Sequence, residues 1–137
     1  LLQMPAAPKT PESLHWAAGA SQHCDELVNL ASQVTTALKA RSPRNPAAAV
    51  ALATELAAAC DRTLKWIDAA PAPGDEQIAA GELSAAAGVL RNASWVLLHR
   101  PEVPDASADA APLIPDRLVT QGLLHLRSAT EALGLRA

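Results

Sequence analysis

Apolar residues recur three and four positions apart through four stretches of this chain, and prolines fence each stretch from the next. That spacing puts a stripe on one side of a helix, whereas a half-buried strand would need strict alternation. It predicts helices over about 12–40, 46–69, 75–99 and 115–135. The first stripe is Ala17, Ala20, Cys24, Leu27, Ala31, Val34 and Leu38; the second is Ala49, Leu52, Leu56, Cys60, Thr63 and Ile67. The third takes Ile78, Leu83, Ala86, Leu90, Ala93 and Leu97, and the fourth Leu118, Val119, Leu123, Leu126 and Leu133. Leu118 and Leu124, with Ile114 just before the helix, also give the fourth stretch a second apolar side.

Punctuation agrees with the periodicity. Pro5, Pro8 and Pro11 oppose regular structure, so residues 1–11 read as a flexible leader, and Met4 offers a native start. Thr10 can cap the first helix, with Pro11 in a first-turn position where its missing N–H costs nothing. Arg41–Pro46 reads as a turn, Ala70–Gly74 as a second break, and Asp75 as the cap of the third helix. His99 and Arg100 suit a helix C-terminus, before Pro101 and a loop of about a dozen residues. Short links force consecutive helices to pack antiparallel, so 12–137 reads as one all-α domain, an up-down-up-down four-helix bundle.

Composition sharpens this picture. Ala and Leu dominate, and three tryptophans are the only aromatic residues, a bias that favours helix and suggests a GC-rich bacterial source. A net charge of −3 without a basic stripe argues against nucleic acid as a ligand. No apolar run approaches the roughly 20 residues that cross a bilayer, and no signal-peptide core is present, so a cytoplasmic protein with reduced thiols is expected.

Three constellations could carry chemistry. Helical rise places Cys24, Cys60 and His125 near one middle layer, with His23 level but turned about 100° away from Cys24. Facing them, Ala85, Ala86, Ala87 and Gly88 make a wall of small residues. Two thiols and an imidazole are ligands for zinc, or a reactive pair. Against that, no short-spaced pair such as CxxC or HxxxH supports a metal, and buried Cys is commonly a small core residue. No cofactor is therefore expected. The second constellation is Arg91, Trp95 and His99, spaced i, i+4, i+8, with Asn92 beside them. A guanidinium, an indole and an imidazole in line can hold an anionic or aromatic ligand; the plainer reading is a surface Arg on a partly buried Trp. The third is His15, Trp16 and Trp66 at one bundle end, with Lys65 adjacent, where tryptophans ordinarily close a core.

Phosphate loops, HExxH and nucleophile elbows are missing, no Glu-x-x-His supports a di-iron bundle, and no known family's motif is recognisable. The sequence therefore points to a small bundle that binds a protein partner or a second copy of itself. The competing expectation is an enzyme or small-molecule binder of a biosynthetic pathway. Its pocket would lie inside the bundle beside His125, or along the Arg91, Asn92, Trp95 and His99 stripe.

Overall fold

The protein is described by a computed structural model covering residues 10–39, 46–99 and 113–134. Residues 1–9, 40–45, 100–112 and 135–137 lie outside the described residues, as do the side chains of Leu38, Ala49 and Ile114. Four helices make up the described fold: α1 (Pro11–Lys39), α2 (Pro46–Ala69), α3 (Gln77–His99) and α4 (Leu113–Ala132). A single 3-10 turn, Gly74–Glu76, precedes α3, and no strand occurs among the described residues.

Each helix packs on its sequence neighbours, and α4 closes the ring against α1. Pairs across the seams give the directions. Trp16 meets Ala70, His23 meets Thr63 and Glu26 meets Arg62, so α2 runs down as α1 runs up. Leu90 lies against Gly122 and Glu82 against His125, the same reversal between α3 and α4. This is the expected up-down-up-down bundle.

Most of the described stripe residues form its interior. Leu27, Leu56, Leu83, Leu90 and Leu126 are fully buried, each worth about 1.5–3 kcal/mol relative to exposure before the cost of ordering it. Alanines at 20, 31, 53, 59, 86, 87, 93 and 129 fill the space between them and let the helices approach. Buried hydroxyls are satisfied: Thr63 reaches His23, and Ser94 donates to the Leu90 carbonyl one turn back at 3.0 Å. Leu52, Ile67, Leu118 and Leu123 are half-buried on the core's margin.

The helix ends explain themselves locally. Thr10 Oγ1 accepts the Ser13 N–H at 3.1 Å, the cap expected of it, with Pro11 as the first helical residue. Pro115 sits inside the first turn of α4 rather than opening it, a place where its missing donor has no intrahelical acceptor to lose. The C-terminus of α4 comes earlier than the expected 135. Gly134 takes a left-handed φ of 70° and its N–H reaches the Glu131 carbonyl at 3.0 Å, ending the helix.

Two expectations fail at the start of α3. Ile78 does not join the core; it is 74% exposed, and Ala79 is buried instead. Ile78 stands five residues before Leu83, which turns it about 140° away, whereas Ala79 is four before. Asp75 does not cap α3 either. It lies in the 3-10 turn, and its carboxylate oxygens sit 3.2 and 3.3 Å from the Ser13 hydroxyl oxygen.

Candidate functional site

The middle layer contains the expected residues in a different arrangement. Cys24 and Cys60 are buried and free. Burial pushes the Cys24 thiol up to about 11, a shift that a hydrogen bond with the Thr130 side chain partly offsets. Burial, reinforced by the adjacent Asp61 carboxylate, pushes Cys60 up to about 12. Thiols held protonated in this way are poor nucleophiles and poor metal ligands at neutral pH. His125 faces α3, where its Nδ1 donates to Glu82 Oε1 at 2.7 Å. Among the described residues, no three His, Cys, Asp or Glu side chains gather as a metal site. The small-residue wall also divides: Ala86 and Ala87 are buried in the core, while Ala85 and Gly88 lie at the margin.

The α3 stripe is on the outer surface. Trp95 is 58% exposed, and its indole stacks on His99 with ring centroids 4.1 Å apart and planes at 23°. His99 Nδ1 donates to the Trp95 carbonyl at 2.8 Å, which fixes the imidazole beneath the indole and caps the end of α3. Arg91 turns away from this stack and meets Asp61 of α2 at 2.7 Å. Asn92 is exposed beside them. The helix thus brings Trp95 and His99 together and separates Arg91 from them. Gly81, exposed, and Gly88, half-buried, precede Trp95 at seven-residue intervals, and a methyl group at either would meet nothing within 4 Å.

The aromatic end is the most built of the three. Trp16 is buried, and its indole N–H donates to the Ala70 carbonyl at 2.7 Å, tying α1 to the end of α2. Trp66 lies 5.2 Å from Trp16 and 5.0 Å from the His23 imidazole, centroid to centroid. Gly19 makes this possible: a Cβ there would sit 2.6 Å from Trp66 Cζ2. His23 also shares a hydrogen bond with Thr63 Oγ1 at 3.1 Å, and burial lowers its pKa below the ordinary histidine value. Glu26 opposes that shift and Arg62 assists it. Next to this row, Ser13 Oγ donates to Glu76 Oε2 at 2.6 Å, with both residues essentially solvent-free.

Sequence reasoning passed over Gly19, Ser13 and Glu76, and read His23 only as turned away from Cys24. A signal existed for two of them, since Ser13 stands four before Ala17, and Glu76 seven before Leu83, both on inward stripes.

Among the described residues, three surface grooves can be traced, and Arg91, Trp95, His99 and His125 line none of these three. One of about 410 Å³ lies over the aromatic end, between α1 and the close of α2. The other two follow the α1–α2 side of the bundle, where Glu26 and Arg62 pair at 2.7 Å on the wall of one of them. No described helix is long and apolar enough to cross a membrane. No protein-family profile, curated protein or solved structure matches the chain.

Proposed function

We propose that this protein works by binding another polypeptide across the outer side of α3, and that a second copy of the chain is the occupant. The observation that carries this reading is Trp95, a large indole more than half exposed on an ordered helix. Aromatic anchors of this kind dominate interface energetics once a partner covers them. Its stack on His99 holds it in one orientation, so little side-chain entropy remains to be lost on docking. The glycines supply a complementary shape. A two-fold axis at Gly88 sets two α3 helices antiparallel and brings each Trp95 over the other chain's Gly81, large against small. Ile78, at 74% exposure on the same helix, adds apolar area at the rim.

Ligand binding inside the bundle is the weaker reading, because the interior is filled by leucine and alanine and His125 is turned onto Glu82. The free, buried cysteines support a reducing compartment, the cytoplasm, as the place where the protein works.

Sedimentation equilibrium across a wide concentration range tests the proposal. The expected result is a species of twice the 14.2 kDa chain mass, dissociated by Trp95→Ala and by Gly88→Glu. A wild-type chain that sediments as a single copy throughout would remove it.

A further inference from the structure

The groove at the aromatic end is a candidate site of a different kind, with no part in the α3 surface. Trp66, Trp16, His15, Pro71 and Pro73 line most of it, with Glu12 at its lip, and about 410 Å³ is room for a small molecule. Glu12 puts a carboxylate on its wall, and the Asp75 and Glu76 carboxylates meet the side chain of Ser13, the next residue of α1. The C-terminal end of α2, the negative pole of that helix, closes the groove at Ala70 and Pro71.

Two of the donors beside the groove are already engaged. The Trp16 N–H is held by the Ala70 carbonyl, and the Ser13 N–H of the first turn of α1 by Thr10. An indole surface with a carboxylate at its edge is the chemistry that recognises an organic cation through its ring quadrupole and its charge together. We infer that this groove binds a small quaternary ammonium compound, its methyl groups against Trp66 and its charge facing Glu12. Gly19 belongs to the site because it alone lets the Trp66 ring lie flat along α1.

Choline and its uncharged carbon isostere, dimethylbutanol, are the probes, titrated at constant ionic strength. Indole N–H proton–nitrogen spectra separate the three tryptophans. Choline should shift Trp66 and Trp16 saturably and leave Trp95 still, and it should bind at least about fivefold more tightly than the isostere. Glu12→Gln, an exposed substitution that the fold tolerates, should weaken choline about three- to tenfold and leave the isostere unchanged. Equal binding of the two probes, a shift confined to Trp95, or indifference to Glu12→Gln would overturn the assignment. A trimethyllysine peptide binding tenfold more tightly than choline would overturn the free small molecule as the occupant.

Discussion

Cys24 and Cys60 illustrate how burial decides the chemistry of a side chain. At pH 8 a thiol held at about 11 is ionised in on the order of one molecule in a thousand, and one at about 12 in ten times fewer. Neither sulfur is open to solvent. The folded protein should therefore resist a disulfide reagent such as Ellman's over hours and release both thiols at once in denaturant. Rapid native labelling of either would mean that its helix opens locally. His23 gives a second test at this scale. Its folded pKa lies below the ordinary value of about 6.5, so the unfolded chain binds the proton better. Stability from this group is present above pH 6.5 and is lost as pH falls through that value, levelling off below the folded pKa. Thermal melts between about pH 7.5 and 5.5 should fall more steeply for wild type than for His23→Gln, which keeps a partner for Thr63. Equal slopes would show that the imidazole charges as easily when folded as when unfolded.

Gly122 and Gly88 separate two uses of glycine within helices. A Cβ at Gly122 would lie 2.5 Å from Leu90 Cγ and Cδ2, so α3 and α4 approach only because that methyl is missing. Gly122→Ala should cost about 1–3 kcal/mol by overpacking. Gly88→Ala meets nothing and should add about 0.5–1 kcal/mol from helix propensity, measured by urea melts at low concentration. Opposite signs at two helical glycines are the expected outcome; a shared sign would mean that the seam relaxes. Much of this element-level order was legible beforehand. Gly122 stands three after Val119 and four before Leu126, which marks it as inward, and Thr10 followed by Pro11 announced the start of α1. Ile78 was misplaced because hydrophobicity was allowed to outrank spacing. His125 marks a deeper boundary. Periodicity gives a residue's direction to within about half a turn of the stripe, enough to tell core from surface. A residue on the stripe's margin faces one of two flanking helices, and which one depends on the handedness of the ring. No local pattern in the chain encodes that, so the pairing with Glu82 was hidden.

On the scale of the whole molecule, the bundle divides its apolar residues between two jobs that a pair of substitutions can separate. Leu56 is fully buried, whereas Trp95 and Leu124 are more than half exposed. Leu56→Ala should cost about 2–5 kcal/mol, the lost transfer energy plus a cavity that close-packed alanines cannot collapse to fill. Trp95→Ala removes a larger side chain but little buried contact, so at low concentration its unfolding free energy should stay within about 0.5 kcal/mol of wild type. Raising the concentration should then split the two variants in the other direction. If association stabilises the folded state, the wild type and Leu56→Ala gain melting temperature by mass action, and Trp95→Ala gains none. A Trp95→Ala protein as damaged as Leu56→Ala at low concentration would mean that the indole belongs to the core of its own bundle. One that keeps the full concentration dependence would move the interface to another face, with Leu124 of α4 the next residue to replace.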